Sequence, residues 1–277
     1  MSSTHSIPCL HEIESSPQSI NASIVQGSVL GPTLFNVNSC ELSPLSAPNR
    51  YFKYADDAYL IIPASNSASI SSELQHHAAW AASCNLKLNP SKTAEIIFTN
   101  KRVKEPQPNS NITRVTSMKI LGVLVDSKLT FKDHINAVIT SCSQSFFALR
   151  TLKQHGLSER CLQTVFKSTV ISKLSYAASS FWGFLSSCER TRLESFLRRA
   201  VKFGYYPLNG PDLTTLQYQV DENLFNAIFD NPLHVLYYLL PQKKTTPYNL
   251  RPAAHGLVLP RKDDRNFINR MLYIDLY

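Results

Sequence analysis

Two adjacent carboxylates, Asp56 and Asp57, stand between two apolar, β-prone runs at 52–55 and 58–62. This pattern predicts a tight hairpin with both acids at its tip. Because an unpaired buried charge is very costly, water or a cation must accompany these carboxylates. Mg²⁺ takes oxygen ligands, commonly one or two carboxylates together with phosphate oxygens of a substrate. The pair therefore indicates either a metal site for nucleotidyl transfer or an ordinary solvated turn.

The elements that must position this pair follow from the spacing of apolar residues. We expect a helix from residue 69 or 72 to about 84, with Leu74, Ala78 and Ala81 on one face. Further strands are predicted at 93–99 and at 118–125, the second with Gly122 inside it. Residues 1–20 show no strand pattern, so we interpret them as a loose or truncated leader.

From Asp133 onward the apolar period becomes helical. The first helix should end at Gly156, and Ser158 can cap the next one. A third helix has the clearest apolar stripe, at Leu193, Phe196, Leu197, Ala200 and Val201. Its basic residues fall mainly outside that stripe: Arg190, Arg192, Arg198, Arg199 and Lys202. These side chains can therefore face a partner.

Charge is unevenly distributed along the 277 residues, whose net charge is +8. Residues 142–277 contain 17 Lys and Arg against 10 Asp and Glu. Such a basic block favours a polyanionic partner, first nucleic acid and second an anionic membrane, although a solvated helical surface is an equal alternative. No apolar run reaches the roughly 18–20 residues that span a bilayer. The polar amino terminus and the scattered cysteines favour an intracellular protein, in the nucleus or the cytoplasm, that is not secreted.

Several motifs occur in a fixed order along the chain. They are QGSVLGPTLF at 26–35, YADD at 54–57, NLKLNPSKT at 85–93 with IIF at 96–98, MKILGV at 118–123 and LTFKDHI at 129–135. This order resembles the reverse transcriptases of non-LTR (LINE-type) retrotransposons, from about residue 20 to the end. The resemblance implies an α+β fold in which a partial polymerase palm, an antiparallel sheet with helices, precedes a mainly helical thumb. The corresponding boundaries are a leader at 1–20, the palm at 21–131, the thumb at 132–206 and a carboxyl-terminal tail at 207–277.

The same resemblance implies roles for the residues in the matching motifs. Asp56 would bind the catalytic Mg²⁺ ions, of which the intact site holds two, and Asp57 would support it. Four residues would lie against the incoming nucleotide and the template: Gln26, Gly27, Ser28 and Tyr54. Lys92 would act near the triphosphate as a proton donor or a charge clamp, unless it is simply an exposed lysine. Leu121 and Gly122 would form the primer grip, although core packing is an equal alternative for both.

The implied partners are an RNA template, a DNA primer or RNA–DNA hybrid, and deoxynucleoside triphosphates, with no membrane. The basic residues Arg190, Arg192, Arg198, Arg199 and Lys202 would contact the nucleic-acid backbone. The family's first palm strand supplies another metal-binding Asp, but the acids before Gln26 are only Glu12 and Glu14. We therefore expect a reverse transcriptase segment without activity as an isolated chain. The alternatives are a non-catalytic nucleic-acid-binding remnant of a transposable element and a gene fragment without function.

Overall fold

The computed structural model describes residues 28–99, 106–107, 112–244 and 255–274, together with the backbone of four short strands within residues 4–20. The chain forms helices and small two-stranded sheets, which confirms the α+β class. Within these described residues, no helix is both long enough and apolar enough to cross a membrane. The predicted residues Gln26 and Gly27 lie outside the described part of the chain.

Short strands occur where the sequence predicted none. In the first 20 residues, β1 (Thr4–Ser6) pairs with β4 (Gln18–Ile20), and β2 (Cys9–Leu10) pairs with β3 (Ile13–Glu14). The expectation of a leader without strands is therefore wrong. Two short segments can form a backbone ladder without the apolar alternation on which strand prediction depends.

The predicted hairpin around the paired carboxylates is confirmed, with a shift of one residue. Strand β5 (Arg50–Tyr54) pairs with β6 (Asp57–Ile61) in antiparallel register, with Tyr54 opposite Asp57. The loop is therefore Ala55 and Asp56 rather than the two acids. Asp57 is the first residue of the second strand.

The strands that follow are shorter than the sequence suggested. The predicted strand at 93–99 is reduced to β7 (Ala94–Ile96), which pairs with β8 (Thr113–Val115). The predicted continuous strand at 118–125 is wrong, because the chain reverses there. Strand β9 (Ser117–Ile120) pairs with β10 (Val123–Asp126), and Leu121 and Gly122 form the turn between them. Both turn residues have positive φ, which is the conformation that turns two-residue hairpins back on themselves.

Helices account for most of the remaining residues. The predicted helices at 69–84, from 133, and around 193–201 are confirmed, and Ser158 caps its helix by accepting a hydrogen bond from the Cys161 amide. A π-helical turn at Lys167–Ile171 connects two of the helices. The helices are α1 (Gly31–Ser39), α2 (Ile70–Ser83), α3 (Lys132–Gln154), α4 (Glu159–Phe166), α5 (Ser172–Ser175), α6 (Ala178–Phe181), α7 (Ser187–Lys202), α8 (Leu213–Asp230) and α9 (Phe267–Leu272).

The chain divides into two compact units. The first unit comprises residues 1–94 and 106–113, and the second unit comprises residues 95–105 and 114–277. In the second unit, α3, α4 and α7 surround a core that includes Cys142, Phe166, Phe196 and Ala200, all with no measurable exposure. The buried stripe predicted for α7 is present at four of its five positions, since Val201 is only half-buried.

The buried face of α2 differs from the prediction. Ala81 is buried as expected, but Ala78 is exposed and Leu74 is only half-buried. Glu73 is fully buried instead, because donors from residues 45–49 surround its carboxylate. Helical periodicity counts a glutamate as polar, so it cannot reveal a buried position that depends on tertiary hydrogen bonds.

Candidate functional site

The tip of the β5–β6 hairpin presents both predicted metal ligands to solvent. Asp56 and Asp57 are exposed, and Ala55 before them has a φ of 50°, in the left-handed region. Tyr59 donates a hydrogen bond from its hydroxyl to Asp57 Oδ2 over 3.3 Å. Tyr54 is 66% exposed, so it is free to contact a ligand beside the acids. Both carboxylates are therefore accessible to a cation.

Lys53 ties the hairpin to the helix that precedes it. Its Nζ donates hydrogen bonds to the carbonyl oxygens of Ser39 and Leu42, the second over 2.8 Å. Ser39 is the last residue of α1, where an ammonium group also interacts favourably with the carbonyl end of the helix. At the other end of α1, the Gly31 amide donates to the carbonyl of the half-buried Ser28 over 3.2 Å. Helix α1 thus follows Ser28, and Lys53 attaches the YADD strand to its carboxyl end.

A small cavity of about 150 Å³ lies beside the hairpin tip. Its charged lining consists of Lys53, Asp56, Asp57 and Lys87, and Leu42 and Trp80 belong to its apolar wall. Drug-sized ligands occupy roughly 300–1,000 Å³, so this space fits an ion with its waters better than a whole nucleotide. The cavity therefore combines two carboxylates and two lysines with an apolar wall.

The donor set fits Mg²⁺ in part. The described residues contain no group of three His, Cys, Asp or Glu side chains placed to hold a metal. Two adjacent carboxylates can hold one Mg²⁺ whose other ligands are water and phosphate oxygens. When bound in pairs, such ions activate an attacking hydroxyl and stabilise a leaving pyrophosphate. Asp56 and Asp57 are the residues that would hold the ion here.

Lys92 lies in the turn that follows α2. Its backbone amide donates to the Asn89 carbonyl over 3.2 Å, and its side chain is exposed. Lys87, rather than Lys92, lines the cavity with the two acids. The role implied for Lys92 remains a prediction.

The turn formed by Leu121 and Gly122 is contacted by Tyr176, to which the sequence gave no role at this turn. Tyr176 donates a hydrogen bond from Oη to the Leu121 carbonyl oxygen over 2.9 Å. The Leu121 side chain is 39% exposed, so the alternative of core packing does not describe this residue. The turn thus presents its side chain and backbone at the surface of the second unit.

The basic residues of α7 form an exposed set on the side opposite the core. Arg190 donates from Nη2 to the Trp182 carbonyl over 3.2 Å, and the Arg199 guanidinium lies 5.4 Å from the Phe196 ring centroid. Arg198 donates to Ser195 Oγ over 2.8 Å. All five basic side chains are exposed: Arg190, Arg192, Arg198, Arg199 and Lys202. Their charges are therefore available to phosphates.

Comparison with known proteins places these features in a family. The family described as reverse transcriptase (RNA-dependent DNA polymerase) matches residues 4–125. The probable RNA-directed DNA polymerase from transposon BS of Drosophila melanogaster is 28% identical over 267 residues, which is 89% of this chain and 28% of that protein. The chain is therefore similar to the reverse transcriptases of LINE-type elements, and the family match covers residues 4–125.

Two further polymerases from Drosophila melanogaster elements are similar to this chain. The RNA-directed DNA polymerase from mobile element jockey is 28% identical over 59% of this chain and 20% of its own length. The probable RNA-directed DNA polymerase from transposon X-element is 26% identical over 69% of this chain and 22% of its own length. The chain therefore spans between a fifth and a third of the length of these relatives. No solved structure gives a significant match.

The family match begins at residue 4, earlier than the predicted resemblance from about residue 20. The motifs in MKILGV and YADD lie inside the matched region, whereas α7 lies beyond it. Sequence reasoning gave no site role to Lys53, which lies in the predicted strand before YADD, or to Tyr176, which begins the thumb-like stretch 176–182. A lysine directly before YADD carries a weak signal, while the pairing of Tyr176 with a turn 55 residues away carries none.

Proposed function

We propose that this chain supplies the metal-binding turn and the thumb of an RNA-directed DNA polymerase. The reaction is Mg²⁺-dependent transfer of nucleotides from deoxynucleoside triphosphates to a DNA primer on an RNA template, inside the cell, in the nucleus or the cytoplasm. The exposed Asp56 and Asp57 at the end of a hairpin carry the proposal, since they stand in the matched region of the family. Residues 21–131 form the proposed palm and residues 132–206 the proposed thumb.

The remaining residues take the roles implied by their motifs. Ser28 and Tyr54 contact the nucleotide and template, together with Gln26 and Gly27. Lys92 acts near the triphosphate, and Leu121 with Gly122 places the primer end. Exposure of the Lys92 and Tyr54 side chains supports these roles, because a buried residue could not reach a substrate.

Iron-directed cleavage tests the metal-binding part of this proposal without requiring activity. Fe²⁺ replaces Mg²⁺ at carboxylate sites, and with ascorbate and peroxide it cleaves the nearby backbone. Wild-type chain should be cut around residues 54–58, and the cut should disappear in Asp56→Asn/Asp57→Asn. The adjacent acids Asp263 and Asp264 give a matched control, because Asp263→Asn/Asp264→Asn should leave that cut unchanged. Equal cutting in wild type and in the Asp56→Asn/Asp57→Asn variant would contradict a metal site.

A second function is favoured by the exposed basic residues of α7. In this alternative the chain binds nucleic acid without catalysis, as a remnant of a transposable element. Mg²⁺ held by two carboxylates alone supports only part of a two-metal displacement, and the described residues add no third ligand. We therefore propose that the isolated chain binds RNA–DNA hybrid and does not extend a primer.

Primer extension and binding separate these functions. A labelled DNA primer on RNA, with Mg²⁺ and all four deoxynucleoside triphosphates, should show no extension above that of Asp56→Ala. Binding of the hybrid by anisotropy should weaken steeply with salt, because each neutralised phosphate releases counterions. Arg192→Gln/Arg198→Gln should reduce the salt slope by about two, whereas Lys128→Gln/Lys262→Gln should change it less. Templated extension lost in Asp56→Ala would show instead that the chain is an active polymerase.

A further inference from the structure

The turn between β9 and β10 places one non-glycine residue, Leu121, in a backbone conformation that it does not favour. Leu121 has a φ of 44° and Gly122 a φ of 91°. Glycine adopts such values freely, whereas the Cβ of a leucine crowds the following carbonyl. A non-glycine residue persists in this region only where its surroundings enforce it. Tyr176 is the side chain that contacts this turn.

Tyr176 contacts both residues of the turn. Its Oη donates to the Leu121 carbonyl over 2.9 Å. Its ring edge lies so close to Gly122 that a Cβ there would be 3.2 Å from Cε1. The hydroxyl thus holds the peptide between Leu121 and Gly122, and the ring would crowd a Cβ at position 122, where the positive φ already favours glycine.

Residues close to Tyr176 in the chain pack into the core of the second unit. The tyrosine follows α5 directly, and Leu174 and Ala178 on either side of it are buried in the core of the second unit. Ala177 next to it has a φ of 52°, so the chain turns sharply at this point. Tyr176 itself is 55% exposed, which is more than a packing role requires. Tyr176 therefore connects a rigid core to an exposed turn.

We propose that Tyr176 is a positioning residue, which holds the Leu121–Gly122 turn in the orientation that receives the end of the primer. This inference rests on the proposed role of the turn in placing the primer. Tyr176 acts through the turn and does not itself take part in the reaction. Tyr176→Phe removes the hydrogen bond but keeps the ring beside Gly122.

Two measurements on the full chain test this proposal. Hydrogen exchange of residues 117–126, without nucleic acid, should accelerate several-fold in Tyr176→Phe. A photo-reactive nucleotide at the primer 3′ end of an RNA–DNA hybrid should cross-link to the same residues in wild type, and several-fold less in Tyr176→Phe. The dissociation constant for the hybrid should stay within twofold, since contacts of α7 with phosphates dominate it. Tyr238→Phe, which alters a tyrosine of similar exposure, should behave as wild type.

The outcomes distinguish the inference from the function on which it rests. Exchange and cross-linking that match wild type in Tyr176→Phe would overturn the positioning role alone. Wild-type chain that binds hybrid but gives no cross-link at 117–126 would overturn the primer role of the turn, and the positioning role with it. A Tm that falls in Tyr176→Phe while the cross-link yield is unchanged would show a purely structural tyrosine.

Discussion

The interior of each unit is stabilised by a different kind of interaction. Among the described residues of the first unit, the buried hydrophobic side chains are only Leu42 and Ala81, and a polar group, Glu73, is the largest fully buried side chain. The second unit has an extended core of aliphatic and aromatic residues, in which Phe146 stacks on Phe196 at 4.7 Å. Apolar burial contributes about 25 cal/mol per Å², so the second unit gains far more from it.

In the first unit, a network of hydrogen bonds surrounds the buried carboxylate of Glu73. Glu73 accepts hydrogen bonds from the amides of Leu45 and Ser46 at 3.1 Å each, and from Asn49 Nδ2 at 2.7 Å. Asn66 extends the network by donating to Asn49 Oδ1 over 2.9 Å. This network attaches the segment before β5 to α2. The carboxylates of the candidate site thus stand on an element supported by polar contacts.

The difference suggests that the two units open independently and with unequal free energies. Segments with few buried apolar contacts open at lower cost than a packed core. Each unit contains one tryptophan, Trp80 in the first and Trp182 in the second. Trp80→Phe and Trp182→Phe therefore give two backgrounds in which denaturation of one unit is followed by fluorescence.

The largest effect is expected from the buried ion pair of the second unit. Arg270 Nη2 lies 2.7 Å from Asp221 Oδ2, with side chains 15% and 4% exposed, and Gln217 donates to the other oxygen. Removing one partner leaves a buried charge, at a cost of about 3–5 kcal/mol. Asp221→Ala should lower the free energy of unfolding by that amount in urea denaturation followed through Trp182.

An exposed ion pair from the same part of the chain is the control. Lys262 and Asp264 are 3.6 Å apart, with side chains 61% and 73% exposed. Exposed pairs contribute about 0–1 kcal/mol, so Asp264→Ala should cost no more than this. Equal losses in Asp221→Ala and Asp264→Ala would show that the buried pair does not stabilise the second unit.

A smaller effect is expected from Glu73 in the first unit. Glu73→Gln keeps the shape but replaces one acceptor oxygen by a donor, which leaves a backbone amide without a partner. The unfolding free energy followed through Trp80 should fall by about 1–3 kcal/mol. The exposed Glu41 is the control, and Glu41→Gln should leave it unchanged within about 0.5 kcal/mol.

Glu73 also makes the unfolding free energy of the first unit depend on pH. Burial raises the pKa of Glu73, but hydrogen bonds from Asn49, Leu45 and Ser46 outweigh it and hold the pKa below its usual 4.5. The unfolded chain therefore takes up the proton first as the pH falls. The stabilisation is complete above about pH 4.5 and is lost as the pH falls towards the folded pKa. Glu73→Gln should remove this dependence from the Trp80 transition, and a persisting dependence would assign it to another group.

These effects mark where sequence reasoning succeeds and where it stops. The stripe of α7 and the YADD hairpin were predictable, because local periodicity and turn residues determine both. Glu73 was not, since its burial depends on donors more than 20 residues away. The apolar pattern also missed the reversal at Leu121, because leucine seldom adopts positive φ, whereas the family resemblance implied a strand turn at 118–123. The implied roles of the site residues came from family resemblance and remain predictions.

The smallest effect is expected at the hairpin tip of the first unit. Ala55 has a φ of 50°, and a non-glycine residue in this region costs about 1–2 kcal/mol. Glycine removes that cost but loses about 0.5–1 kcal/mol through its freedom in the unfolded chain. Ala55→Gly should therefore stabilise the first unit by at most about 1.5 kcal/mol in the Trp80 transition. The control is Ala58→Gly, in β6 without positive φ, which should destabilise the first unit instead. Loss of stability in Ala55→Gly would show that the hairpin tip carries no strain.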